Sequence, residues 1–266
     1  MRCKMKSLPK ILMGMVILIF STTYLVWGQS TKLVSETSDS LYFESPALFE
    51  CNVQFPDNYK SEKSFPLIIS LHGGGGSYKT FKDIWRHFEN PQFIMATPQA
   101  PYKWLMGDKI GYDWAAWPSE NLVAMQTALK LTSKYIENLI QSLKSKYNIN
   151  KIYLMGFSQG SIITQIAGIN NYNLLEGIII LSGPEIGHPG KPEIVWPSDK
   201  TVKSANKLRV FIAHGKSDNI IDIALAKKSK EQYKKSGYDV EFFEFEGGHE
   251  ISKKAMRRVE KWENRE

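Results

Sequence analysis

Lys151–Gly168 reads KIYLMGFSQGSIITQIAG, an apolar run, a turn bounded by Gly156 and Gly160, and a second apolar stretch. The first run, KIYLM, has the continuous hydrophobicity of a strand covered on both faces. After the turn, Ile162, Ile163, Ile166 and Ala167 suit a helix packed on a sheet. Ser158 therefore stands between a buried strand and the N-terminus of a helix, where free backbone N–H groups stabilise developing negative charge. Glycines at 156 and 160 let strand and helix backbones approach closely, as a sharp strand-to-helix turn demands. Three fixed positions in five arise easily by chance, so the turn gains meaning only from what surrounds it.

The flanking chain repeats the pattern. FPLIISLHG, QFIMATPQA, EGIIILSG, KLRVFIAHG and DVEFFEFEG read as further buried strands, and SLYFES with ALFECNVQF as a leading antiparallel pair. From Ser119 to Tyr147, apolar residues recur at steps of three and four, the stripe of a long helix. Ile251, Ala255, Val259 and Trp262 mark another helix at the C-terminus. Strands alternating with helices predict an α/β fold, doubly wound around a mostly parallel sheet. No repeat or linker divides residues 29–266, which are expected to form one domain.

Composition narrows the function. Of 266 residues, 42% are hydrophobic, enough for one sizeable core, so disorder is excluded. The formal charge of +7 falls largely on Arg2, Lys4, Lys6 and Lys10; without the first 28 residues, 30 basic face 27 acidic residues, too even a balance for a nucleic-acid footprint. Those 28 residues combine basic charge with the apolar run Ile11–Trp27, the pattern of a signal peptide, with cleavage expected between Gly28 and Gln29. The alternative is an uncleaved anchor, the only membrane attachment expected, and either form places the domain outside the cytoplasm. Removal of Cys3 with the signal leaves Cys51 unable to form an internal disulfide; it reads as a small buried or half-buried thiol.

A serine hydroxyl is a weak nucleophile without a base and a group to orient that base. His249, in the glycine-rich turn of FEFEGGHEIS, follows the last strand and is the expected base. Asp218, on the loop after KLRVFIAHG, is the expected orienting carboxylate, whereas Asp222 opens the next helix as a cap. His72 and His214 each precede a glycine at a strand end and read as braces for loops; His87 reads as exposed, and His188 lies in a Pro/Gly-rich excursion. The order Ser158, Asp218, His249 is that of the α/β-hydrolases. Gly73–Gly76 supply an unobstructed backbone at an early strand end, and the expected oxyanion donors are the N–H groups of Gly74 and Gln159. No Gly-Lys-Ser/Thr follows these glycines, and no histidines and acids fall at metal-ligand spacing, so neither cofactor nor metal is expected.

LHGGGGS, TPQAP, GFSQGS, HGKSDNII and EGGHEIS, in that order over Phe65 to Trp262, resemble the phospholipase/carboxylesterase family of small α/β-hydrolases, which includes acyl-protein thioesterases. The resemblance implies an α/β-hydrolase fold, a Ser158–Asp218–His249 triad and a small-molecule acyl-ester or thioester substrate. The glycine loop is closer to that of secreted feruloyl-esterase and polyester-depolymerase relatives. Together the residues and the resemblance predict an exported serine carboxylesterase, with a peptidase or a non-catalytic exported binding module as alternatives on the same fold. Residues 182–207 are expected to rim the cleft, and Trp104, Trp114, Trp117 and Trp196 to line it or to serve as ordinary packing.

Overall fold

The computed structural model describes residues 45, 47–115, 121–187 and 196–265. All but Ser45 belong to one compact unit, Pro46–Glu266. The expected signal segment, the strand SLYFES before Ser45, Trp117 and His188 lie outside the described residues, as does the Trp104 side chain. No helix among the described residues is long and apolar enough to cross a membrane.

The apolar runs form a seven-stranded sheet in the order β1-β3-β2-β6-β7-β8-β9: Cys51–Gln54, Ile94–Pro98, Phe65–Leu71, Ile149–Phe157, Gly177–Leu181, Arg209–Gly215 and Val240–Phe245. β1 pairs antiparallel with β3, Cys51 opposite Pro98 and Gln54 opposite Met95. The other pairings are parallel. Alternation along each strand divides the core between the two faces. Leu67, Ile69 and Leu71 point to one cluster, with Leu129 and Ile136 of helix α2 (Leu122–Lys146), Ile163 and Ile166 of α3 (Gln159–Asn170) and Tyr233 of α5 (Ile223–Lys235). Ile68, Met155, Ile179 and Phe211 point to the other, with Met256, Val259 and Trp262 of α6 (Lys253–Glu263). Apolar cover on both sides is why the central strands carry almost no polar residue. The remaining helices are short: α1 (Tyr78–Phe81), followed by a 3-10 turn over Lys82–His87, and α4 (Asp199–Ser204).

Sequence pattern missed the short helices α1 and α4 and a hairpin of β4 (Tyr102–Met106) and β5 (Lys109–Asp113) outside the main sheet. The hairpin turn is Gly107-Asp108, with Gly107 at φ +59°, a positive φ of the kind two-residue hairpin turns require. An isolated bridge between Tyr112 and Gly76 joins its end to the glycine loop.

Candidate active site

Ser158 connects β6 to α3 with φ 54° and ψ −119°, a region L-residues rarely occupy. The surroundings hold it there. Its N–H donates to the Leu181 carbonyl at 3.0 Å, and its own carbonyl accepts from the Ser161 N–H at 2.9 Å and the Ser161 hydroxyl at 2.6 Å. Glycine is required on both sides: a Cβ on Gly156 would stand 2.2 Å from the Gly160 carbonyl oxygen, and one on Gly160 would stand 2.5 Å from the Leu71 carbonyl oxygen. This is the strained elbow that lifts a serine above a sheet edge.

The loops that carry His249 and Asp218 reach that serine from adjacent strands. Phe245 and Gly247, at and beyond the end of β9, accept from the N–H groups of Lys216 and Ser217 beyond β8, both at 2.9 Å, and so sew the two loops together. His249 consequently lies between its expected partners, with Nε2 2.9 Å from Ser158 Oγ and Nδ1 2.8 Å from Asp218 Oδ2. Its ring packs on Phe157, centroids 4.9 Å apart. Asp218 Oδ1 accepts from the Ile220 and Ile221 N–H groups, each at 2.9 Å. Burial acts to raise the Asp218 carboxyl, but the Ile221 amide, the His249 ring and the Ile220 amide outweigh it, holding the group below the usual carboxylate range. An ionised carboxylate facing Nδ1 fixes the tautomer that presents a bare Nε2 to a hydroxyl. Asp222 caps α5, accepting from the Ala224 N–H at 2.8 Å.

Gly73 and Gly74 run alongside the elbow: a Cβ on Gly73 would lie 3.5 Å from Ser158 Cβ, and one on Gly74 3.3 Å from the Gln159 side chain. The next two amides are already engaged, one by the hairpin and one within the loop. Gly75 donates to the Tyr112 carbonyl at 3.1 Å and to Asp113 Oδ1 at 2.9 Å, and Gly76 to the Gly73 carbonyl at 3.1 Å. The Gly74 N–H has no acceptor among the described residues, and Gln159, as the first residue of α3, has an amide with no partner in its own helix. Expected oxyanion donors are thus the two amides left over.

The end of the hairpin clamps this loop. Besides the Asp113 bond, Trp114 donates from Nε1 to the His72 carbonyl at 2.7 Å and from its backbone N–H to Gln159 Oε1 at 2.9 Å, and its carbonyl accepts from Thr132 Oγ1 at 2.6 Å. One dipeptide therefore binds the glycine loop, the elbow and α2. His72 braces the same loop: Nδ1 donates to the Gly73 carbonyl at 2.8 Å, and Nε2 accepts from the Ala100 N–H at 3.3 Å. Burial pushes its pKa down to about 4, so the ring stays neutral near pH 7. His214, wholly buried at the end of β8, braces the Asp218 loop through the Ile221 carbonyl. Asp113 was not legible, because it lies 38 residues from Gly75 in a hairpin without strong periodicity.

The other candidates take structural places. Trp114 is fully buried and so belongs to the core rather than to an open aromatic wall; Trp196 is half-buried against the same cluster. Burial raises the Cys51 thiol to about 12, leaving it protonated. His87 is half-buried on the 3-10 turn rather than exposed. Within the expected rim, residues 182–187 and 196–207 are described, including α4. No group of three or more His, Cys, Asp or Glu among the described residues is disposed to hold a metal ion.

Comparison with known proteins agrees with this architecture. The model of the Phospholipase/Carboxylesterase family matches residues 58–264. Acyl-protein thioesterase 1 of Gibberella zeae is 31% identical over 213 residues, covering 73% of this chain and 87% of that protein. Acyl-protein thioesterase 1 homolog 2 of Dictyostelium discoideum is 29% identical over 185 residues, 64% and 78% of the two chains. Among solved structures, esterase PE8 superposes with a TM-score of 0.62 at 20% identity, covering 81% of this chain and 98% of its own. Acyl-protein thioesterase 2 of Zea mays gives 0.61 at 21% identity, covering 80% and 96%. These structural likenesses are likenesses of an esterase and thioesterase-type hydrolase fold. With the matched span running from before β2 to the end of α6, the chain belongs to the phospholipase/carboxylesterase family.

Proposed function

We propose that this protein is an exported serine carboxylesterase that cleaves small acyl esters through an acyl-enzyme. The observation that carries the reading is the unbroken line from Ser158 Oγ through the His249 ring to Asp218, at 2.9 and 2.8 Å. Such a line moves a proton from the alcohol as it bonds to an ester carbonyl carbon. His249 takes that proton, and the resulting imidazolium is stabilised by the Asp218 carboxylate. Negative charge gathering on the carbonyl oxygen is met by the free amides of Gly74 and Gln159, held ready before the reaction begins. Collapse of the tetrahedral intermediate expels the alcohol, which receives the proton from His249. A water molecule, deprotonated by the same ring, then attacks the acyl carbon and releases the acid, returning Ser158 to its hydroxyl form.

Ser158→Ala tests the assignment. Turnover of p-nitrophenyl acetate should fall by about four orders of magnitude or more, and labelling by a fluorophosphonate should vanish. Unchanged turnover in the folded variant would overturn the reading. Export rests on the first 28 residues, and N-terminal sequencing of protein recovered outside the cytoplasm should begin at Gln29. A product retained inside the cytoplasm would contradict it.

A further inference from the structure

We infer that His214 is a positioning residue for this reaction: its Nε2–H fixes the Asp218 carboxylate in the orientation that serves His249 and tempers the negative charge that His249 faces. The inference rests on the proposed roles of Ser158, Asp218 and His249. His214 Nε2 lies 2.8 Å from the Ile221 carbonyl oxygen and 3.2 Å from Asp218 Oδ2. Both neighbours accept, so Nε2 must carry the hydrogen, which it donates to the Ile221 carbonyl while the positive end of the N–H faces Asp218 Oδ2. Nδ1 is buried without a partner, so a second proton there would have no acceptor. The ring is therefore a neutral Nε2–H tautomer. Burial lowers its affinity for a proton, outweighing the Ile221 carbonyl and Asp218. His249 opposes protonation and Asp222 favours it, while Glu244, its register neighbour on β9, is engaged by Lys227 at 3.1 Å.

Asp218 accepts three hydrogen bonds, and the polarised Nε2–H of His214 lies beside them. The Ile220 and Ile221 amides bond Oδ1, His249 Nδ1–H bonds Oδ2, and His214 Nε2 stands 3.2 Å from that same Oδ2. The carboxylate is sealed at 0% side-chain accessibility and flanked on both oxygens, which opposes its rotation. Two histidines thus face one oxygen in different ways: His249 bonds it and keeps 17% side-chain accessibility, and His214 lies beside it, sealed at 0%. Removing the sealed donor leaves Oδ2 to His249 alone, concentrating charge on that bond and loosening the carboxylate.

The test compares His214→Gln, which keeps an N–H donor but cannot gain a proton, with His214→Met, of similar length and without a donor. In pH profiles of kcat/KM for p-nitrophenyl acetate, the Met variant should lose about tenfold at the plateau. Its acid-side limb should rise by about 0.5 to 1 pH unit, because an imidazolium is favoured by a less satisfied carboxylate. The Gln variant should stay within about threefold of the parent with its limb in place. A folded Met variant with the parent profile, or a Gln variant displaced as far as Met, overturns the inference. Long-range 15N–1H spectra of the unaltered protein give a second reading that needs neither turnover nor a variant that folds. His214 should remain a neutral Nε2–H tautomer across the acid limb, and an Nδ1–H tautomer or titration in that range overturns the inference. Failure of the unaltered protein to hydrolyse esters or to label would instead end the proposed reaction, with the tautomer still measurable.

Discussion

Replacing Gly160 by alanine should separate Ser158, the proposed nucleophile, from the glycine loop while leaving the fold in place. A Cβ there would stand 2.5 Å from the Leu71 carbonyl oxygen and 2.6 Å from that of His72, both backbone atoms that cannot swing aside. An ordinary C···O contact is about 3.3 Å, so the start of α3 and the end of β2 must part by about 0.8 Å. Those two segments carry Ser158 and Gln159 on one side and Gly73 and Gly74 on the other. A shift of about 1 Å in a reacting geometry costs about a hundredfold in rate, and overpacking of this kind costs about 1–3 kcal/mol in stability. Steady-state kinetics with p-nitrophenyl acetate should therefore show kcat reduced by roughly a hundredfold. Urea unfolding should remain cooperative with a lowered midpoint. A variant with parental kcat and a normal midpoint would refute the claim that this glycine sets the distance between elbow and loop.

Asp113→Ala removes one acceptor from the Gly75 N–H, which keeps only the Tyr112 carbonyl; kcat should fall about tenfold with little change in KM. Asp113→Asn, which retains an acceptor oxygen, should recover most of the rate, and equal losses in both variants would count against the clamp. Glu263 is 2% exposed, and burial raises its carboxyl from 4.5 to about 7 against Lys151 and Arg209. The folded protein then keeps a proton that the unfolded chain releases, so this group's stabilisation is complete below 4.5 and is lost as pH rises through about 7. At about 1.4 kcal/mol per pH unit the loss sums to about 3 kcal/mol, and it is absent in Glu263→Gln. Urea midpoints of parent and variant should diverge between those pH values, the variant gaining on the parent, and parallel curves would dismiss the buried-acid assignment. His72 acts in the opposite sense, losing stability as pH falls from 6.5 to about 4, so the difference between the two proteins is the quantity to read.

The central sheet is legible in the chain because burial on both faces leaves each strand a short apolar run between turn residues. β2, β3, β7, β8 and β9 fall within segments recognised from that pattern, and β6 begins two residues before its segment, at Ile149. Of the expected leading pair, β1 is described, and its antiparallel partner is β3, a long-range pairing that periodicity cannot specify. The β4–β5 hairpin escapes notice because it lies outside the main sheet and carries no long apolar run, although Gly107-Asp108 is a fair turn signal. Ser158, Asp218 and His249 could be proposed because strand-end loops in a parallel sheet share one edge. Asp113 and Trp114 could not, since their partners, Gly75, His72 and Gln159, are fixed only once the tertiary structure is formed.

Ser158 follows β6 in the middle of the sheet, whereas His249 follows β9 at its rim, 91 residues later. During synthesis a ribosome delivers the alcohol well ahead of the imidazole. On the proposed mechanism, a nascent or prematurely terminated chain ending before β9 therefore holds Ser158 without the imidazole that would take its proton, and synthesis that stops short leaves the alcohol inert.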